Sequence, residues 1–329
     1  MKKIIILTLI VFILNQVHLD ADLHKKFQKF ISKYGKKYSS AEEYFTRYQN
    51  FVKNYIELKS MEKRSYKTGI TQFFDMTQSE ISNKYLSLDL ANTPFDLPSE
   101  RPIINAAIPD SFDWRTYRKM PTREPGSCGS NWSFATLTML EALYLKERGI
   151  EIKFSEQMLL DCVTKNNGCI GYIEYALDWI ISNGIMKNSD YVYKGVSQTC
   201  KAVPSLYIDM KVKGYKKLGE SSSRYSPADE NEMRHMLYQK GPYSVGINSS
   251  LLRTYSSGII DATSTKCPPT AIDHLCLLVG YGTSNGVDYW IIKNSWGKSW
   301  GENGYFRVAR GKGVCGVNYY AIYADVEFS

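Results

Sequence analysis

Between Leu23 and Met61, aromatic and aliphatic residues recur at helical spacing: Phe27, Phe30 and Tyr34, then Tyr44, Tyr48, Phe51, Tyr55 and Leu58, with Lys and Glu interleaved. Side chains three and four positions apart share one helix face, so this stretch predicts two amphipathic helices. Gly69-Ile70-Thr71-Gln72-Phe73-Phe74-Asp75 follows, and the polar, Pro-containing stretch from Asn92 to Pro109 reads as a linker. A second unit opens with a loop, Pro121 to Ser130. It runs into a long helix striped by Phe134, Leu137, Leu140 and Tyr144, with Gly149 where a left-handed cap belongs. Ser155 and Ser226 are N-cap candidates for helices over Glu156–Asp161 and Pro227–Gln239, the latter with Pro at its first position and Gly241 past its end. From Pro242 the period changes: Tyr243–Ile247, Leu275–Tyr281, Tyr289–Lys293 and Tyr305–Ala309 read as short strands separated by Gly and Asn turns. Helices first and antiparallel sheet afterwards predict an α+β fold of two lobes, a helical one over 120–217 and a β lobe over 218–329.

The start of the chain adds a compartment. Lys2 and Lys3 precede the 11-residue apolar run Ile4 to Leu14, shorter than the roughly 20 residues that span a bilayer and typical of a signal peptide. A signal segment over 1–21, cleaved between Gln16 and Ala21, and a secreted, extracellular protein are expected. Export makes the seven cysteines a disulfide framework with one thiol left over. All seven lie beyond residue 127, which predicts that the first third of the exported chain is a separate unit. Over 329 residues, 43% hydrophobic and 22% charged content excludes wholesale disorder and a multi-span membrane protein. The net charge of +8 is dispersed, with short pairs such as Lys36-Lys37 and Lys216-Lys217, so it argues for solubility and affinity for acidic surfaces rather than nucleic-acid binding. His24 and His235 lack metal-ligand spacing, and no metal, cofactor or membrane partner is expected.

Three segments then carry a resemblance: Gly126-Ser127-Cys128-Gly129-Ser130-Asn131-Trp132-Ser133-Phe134, Asp273-His274, and Lys293-Asn294-Ser295-Trp296-Gly297 through Trp300-Gly301-Glu302-Asn303-Gly304-Tyr305. They resemble the papain-like cysteine proteases, in order and over essentially the whole exported chain. Upstream, Glu43, Arg47, Phe51, Asn54 and Leu58, then Gly69, Phe73 and Asp75, look like that family's inhibitory propeptide, with Thr71 where Asn is usual. Leu143 to Asn183 and Val287-Asp288-Tyr289-Trp290 look closest to the mite group 1 allergen branch. The resemblance implies a papain-like two-lobe fold, a helical lobe plus an antiparallel β-barrel-like lobe, behind a helical propeptide over 22–106. The mature unit, 107–329, would start near Ile104 to Ala107.

The family's chemistry needs a thiolate at the N-terminus of the long helix, where the helix dipole and an imidazolium lower the thiol pKa. That position reads Asn131 here, and a carboxamide has neither a thiolate's nucleophilicity nor an acidic proton for His274 to take. The family's oxyanion-hole Gln, six residues earlier, reads Pro125, which has no donor. His274 and its orienting partner Asn294 remain. Ser130 and Ser133 point about 100° and 200° away from Asn131 around the helix, so neither replaces it. No peptidase activity is expected.

The resemblance also pairs Cys128 with Cys169, Cys162 with Cys200 and Cys267 with Cys315; the cysteines alone leave the pairing open. Cys276 remains as a buried thiol two residues past His274, close enough along a strand to share its face. The family's paired-glycine loop is one residue short here, Cys169-Ile170-Gly171-Tyr172. Ile173, Gly246, Ile272 and Leu275 are the expected groove walls, mostly apolar, with Trp296 packing the cleft. Asn131-Trp132-Ser133 and Asn248-Ser249-Ser250 are glycosylation sequons, Asn248 the better candidate. The expected function is that of a pseudoprotease binding extracellular protein or peptide ligands, among them host proteins, protease substrates or protease inhibitors. A separate protease would have to remove its propeptide. A residually active cysteine-type or serine-type peptidase, and a structural or antigenic secreted protein, are the alternatives; an open groove favours binding and a filled one the structural reading.

Overall fold

The computed structural model describes residues 21–61, 64–86, 88, 93, 97–100, 104, 107–117, 120, 128–219, 226–262 and 265–328. The expected signal segment up to residue 20, much of the Asn92–Pro109 linker, and Pro121–Ser127 including Pro125 lie outside them.

The two predicted propeptide helices are present as α1 (residues 21–34) and α2 (Ala41–Ser60). Ser40 caps α2 by accepting from Glu43 N, while Glu43 reaches back to Ser39 N at 2.7 Å. Their stripes meet as a small aromatic core of Phe27, Phe30, Phe51 and Phe74. A short strand, β1 (Tyr66–Thr68), and a helix, α3 (Gln78–Tyr85), follow; α3 starts with a full capping box between Thr77 and Glu80. Polar bonds tie this unit together. Asp75 takes Lys36 at 2.9 Å and Tyr38 at 3.1 Å, Arg47 bridges the Asp75 carbonyl and Glu80, and Asn54 donates to the carbonyls of Phe74 and Met76.

Next come β2 (Ser99–Glu100), β3 (Phe112–Asp113) and the short α4 (Trp114–Tyr117). The helical lobe then holds α5 (Asn131–Arg148), α6 (Glu156–Cys162) and α7 (Ile173–Asn183), and ends in β4 (Met210–Leu218). Gly149 closes α5 at φ 69°, and Ser155 caps α6 through Met158 N, as the sequence predicts. The next helix, α8 (Glu230–Lys240), starts later than expected: Asp229, not Ser226, accepts from Asn231 N and Glu232 N, and Gly241 closes it. The remaining strands are β5 (Tyr243–Ile247), β6 (Tyr255–Ile260), β7 (His274–Ser284), β8 (Val287–Lys293), β9 (Tyr305–Ala309) and β10 (Ala321–Phe328).

The sheet runs β1-β6-β9-β8-β7-β5-β10-β4-β2, with β3 beside β7. This corrects one expectation. The sheet is mixed rather than antiparallel, because β6 pairs with β9 and β2 with β4 in parallel. The first third is a unit with its own aromatic core, and it docks on the rest: β1 adds an antiparallel strand to β6, and Tyr66, Phe73, Met76, Ile81, Leu88 and Leu97 are buried in the main core. Apolar side chains facing away from the aromatic propeptide core are buried only when the two units dock.

The three disulfides are Cys128–Cys169, Cys162–Cys200 and Cys267–Cys315, and Cys276 is a buried free thiol. The loop after Cys169 is held by Asn166, whose carboxamide accepts from Tyr172 N at 2.9 Å and donates to its carbonyl at 3.2 Å. A Cβ on Gly171 would stand 2.3 Å from Asn166 Cγ. Gly171→Ala is therefore expected to cost about 2 kcal/mol through overpacking and lost hydrogen bonds, seen as a fall of roughly 5 °C in Tm by calorimetry.

Candidate functional site

The N-terminus of α5, the start of β7 and the residue after β8 bring Asn131, His274 and Asn294 together, all three buried. The backbone N–H of Ser295 can only donate, and it donates to Asn294 Oδ1 at 2.8 Å. That oxygen is thus an acceptor, and the His274 Nε2 lying 2.8 Å from it carries the imidazole proton. His274 Nδ1 is left as an acceptor for Asn131 Nδ2 at 3.1 Å, and Asn131 Nδ2 also donates to the Tyr85 carbonyl of α3 at 3.2 Å. Both hydrogens of the Asn131 carboxamide are used, one on the imidazole and one on the propeptide. Burial pushes the His274 pKa down to about 4, against the raising effects of Asn294 and the Tyr85 backbone, so the ring is neutral at pH 7. Trp296 stacks on the imidazole at 4.9 Å between centroids.

The propeptide forms the roof of this site. Phe73 stands edge-on to Trp296 at 4.8 Å, Gln72 donates to the Trp296 carbonyl at 2.6 Å, and Leu88 N donates to the Asp273 carbonyl at 3.3 Å. A second anchor lies at the loop before β6. Gly69 N donates to the Thr254 carbonyl at 2.8 Å, and Thr71 donates its hydroxyl to the Arg253 carbonyl. The Arg253 guanidinium holds Asn54 at 2.9 Å and Glu57 at 2.7 Å. Arg253→Ala leaves the Asn54 carbonyl oxygen buried without its donor and is expected to loosen the docked propeptide by about 10-fold, measured as faster amide exchange over residues 66–85.

Other expected site residues are placed as follows. Gly246 pairs with Leu275 across β5 and β7, and a Cβ on it would stand 2.7 Å from Ile272 Cγ2 and 3.0 Å from Tyr320 Cβ. At Gly246 the wall is thus closed by the protein's own Ile272 and Tyr320 side chains, and Ile173, Ile272 and Leu275 are buried with the propeptide docked. Gly171 is buried and Tyr172 half-buried, edge-on to Tyr175. Ser130 is turned to Tyr193 and Ser133 to the Ser130 carbonyl, so neither faces His274. Cys276 does lie on His274's side of the strand, but toward Asn294 Oδ1, 3.9 Å away, on the opposite edge of the ring from Asn131; burial pushes its thiol pKa well up. Both sequon asparagines are corrections: Asn131 is buried under the propeptide, and Asn248 is 5% exposed with its Nδ2 donated to the Pro268 carbonyl, so neither presents a free amide for a glycan. His235 is buried on α8, whereas His24 packs edge-on against Tyr48. No helix among the described residues is long and apolar enough to cross a membrane.

Sequence reasoning missed four contributors. Tyr85 and Gln72 act through backbone and amide contacts that no periodicity marks. Tyr320 sits in a run of aromatic residues indistinguishable from core. Glu174, fully buried beside Tyr320, has its carboxyl pushed up to about 7 by desolvation; its polar identity on an apolar helix face was the available signal.

Residues 108–325 match the papain family cysteine proteases, and residues 27–81 match the cathepsin propeptide inhibitor domain (I29). The chain is 32% identical to the viral cathepsin of Adoxophyes honmai nucleopolyhedrovirus over 97% of both sequences. Its fold is similar to that of the digestive procathepsin L 3 of the Tenebrio molitor larval midgut, with a TM-score of 0.79, 30% identity and coverage of 92% of this chain and 98% of the other. A structure from the study of the mite allergens Blo t 1 and Der p 1 gives a TM-score of 0.77 at 32% identity, covering 90% of this chain and 98% of that one.

Proposed function

The chain belongs to the papain family of cysteine proteases, and we propose that it is a secreted, proteolytically inactive member whose cleft holds peptide without cleaving it. The observation that carries this reading is the hydrogen-bonding of Asn131. A hydrolytic site needs a nucleophile whose proton the imidazole can take. Here the His274 lone pair receives an N–H from a carboxamide, and the other N–H lies on a peptide carbonyl. The group at the nucleophile's place keeps one N–H for a peptide carbonyl, as it does for Tyr85, and its nitrogen lone pair is delocalised into the amide. Pro125, in the place of the oxyanion-hole Gln, adds a second loss.

The ligands that suit such a cleft are extended peptide segments of secreted proteins: protease substrates, inhibitors or host proteins. The propeptide occupies that place in the structure, so a second protease has to release it before another ligand enters. The test uses the propeptide-free protein with reduced thiols. A broad panel of fluorogenic peptides is expected to show no turnover, and a labelled peptide spanning Gln72 to Leu88 is expected to bind saturably by fluorescence anisotropy. Turnover that disappears with His274→Ala would overturn the reading in favour of a hydrolase. Absence of both turnover and binding would favour a structural protein, consistent with the filled wall at Tyr320 and Ile272.

A further inference from the structure

Positive charge concentrates on α1. Residues 22–37 hold six lysines and one carboxylate, Asp22, a net +5 in a chain whose whole net charge is +8. Leu23, Phe27 and Phe30 turn inward and are buried. Lys25, Lys29 and Lys33 recur every fourth residue on the solvent side, all exposed, and exposed Lys37 continues the series past the helix end. The other two lysines are compensated: Lys26 pairs with Asp22, and Lys36 with Asp75 at 2.9 Å. The four of the series meet no carboxylate among the described residues. Like charges four apart on a helix repel, so the row works against the stability of α1, and an opposite charge laid along it is the partner it lacks.

We propose that this lysine row is the docking surface for a linear sulfated polysaccharide, which then holds the chain by its propeptide. The three helical lysines stand about 6 Å apart along the axis, and each step of four residues advances about 40° around it. A flexible polymer with acidic groups along its length can follow such a winding row and meet successive ammonium groups. Besides lysines, the exposed residues between Lys25 and Lys37 are Gln28, Ser32 and Gly35. Nothing apolar stands there to enter a lipid surface, and no aromatic ring on which a nucleobase could stack. The Ser32 hydroxyl is instead a group that meets sugar hydroxyls. Secretion, as proposed above, brings the chain to polymers of this class, while the binding itself stands without it.

The experiment is calorimetric titration of the full propeptide-bearing chain with a heparin fragment of defined length at physiological ionic strength. Neutral dextran, single-stranded DNA of equal charge and vesicles containing phosphatidylserine are titrated in parallel. Expected are saturable heparin binding that weakens with added salt, and no dextran binding. Replacing Lys25, Lys29 and Lys33 together by Gln is expected to weaken it by about 100-fold, each lysine beside an anionic surface being worth about fivefold. Gln is as good a helix former as Lys, so α1 is kept, as circular dichroism checks. Replacing Lys153, Lys187 and Lys201 by Gln lowers the net charge equally, on exposed positions of the mature unit, and is expected to leave binding nearly unchanged. Equal losses in the two triple variants would reduce the effect to net charge and overturn the proposal. DNA or vesicle binding as tight as that of heparin would overturn the assignment of the ligand, and absence of saturable heparin binding would overturn the whole.

Discussion

Replacing Asn131 by Cys in the propeptide-free protein is expected to produce thiol-dependent peptide hydrolysis, where for the native protein none is proposed. The substituted residue opens α5, where the N-terminal end of the helix dipole favours a thiolate. His274 Nδ1 lies 3.1 Å from the present Asn131 nitrogen, so a sulfur at this position falls within reach of the base, whose ring Asn294 and Trp296 already orient. Loss of a nucleophile costs about 10⁶ in rate in a comparable triad enzyme and loss of an oxyanion donor about 10² to 10³. The single variant is therefore expected to show weak turnover, and Asn131→Cys with Pro125→Gln about 100-fold more. His274→Ala in the double variant should remove it. Silence in both variants, with the fold intact by circular dichroism, would place the block in the filled wall at Tyr320 and Ile272 rather than in the missing nucleophile.

Acid is expected to loosen the propeptide. His274 has a pKa of about 4 in the docked state against an ordinary 6.5, because the propeptide and Trp296 exclude water from it. A neutral buried histidine is favoured above pH 6.5, where neither state takes a proton. As pH falls from 6.5 towards 4 the opened state binds a proton that the docked state refuses, so docking is progressively lost. The full difference, roughly 2.5 units or about 3 kcal/mol, is the upper limit, a several-hundred-fold rise in opening, because Trp296 and Asn294 stay on the ring after the propeptide leaves. Glu174 acts in the opposite sense on the fold as a whole. Its raised pKa of about 7 means that its contribution is complete below the ordinary carboxyl value of 4.5 and is lost as pH rises through 7. The two effects separate by location: amide exchange, corrected for its intrinsic pH dependence, should accelerate over residues 66–88 between pH 6.5 and 4 while the core strands β5 and β7 stay protected. Uniform protection of residues 66–88 across that range would dispose of the idea, and His274→Gln should flatten the profile.

Most of the secondary structure was legible from local rules, since caps and periodicity act within one or two turns. Gly149, Ser155 and Gly241 stand where the chain predicts them because a glycine's left-handed freedom or a hydroxyl's reach to a backbone N–H depends only on neighbours in sequence. The start of α8 was misjudged by three residues because two capping residues compete there, and the Asp229 carboxylate reaches two backbone N–H groups at once.

The disulfide partners needed the family resemblance, because spacing along the chain does not choose among pairings. Parallel pairing of β6 with β9 and of β2 with β4 was not legible at all, since strand direction is set by which elements meet after long excursions of chain.

The sequence by itself determined the residue types at the site: an asparagine opening α5, a histidine opening β7, an asparagine after β8, and no Gln at position 125. Only the tertiary structure decided what those groups do. The tautomer of His274 follows from Ser295 N–H on Asn294, the second bond of Asn131 from the Tyr85 carbonyl 46 residues earlier, and the low pKa of the ring from water excluded by a propeptide that the cysteine pattern had set apart. Protonation, donor direction and burial are properties of the space around a side chain, and that space is built from segments that are distant in sequence.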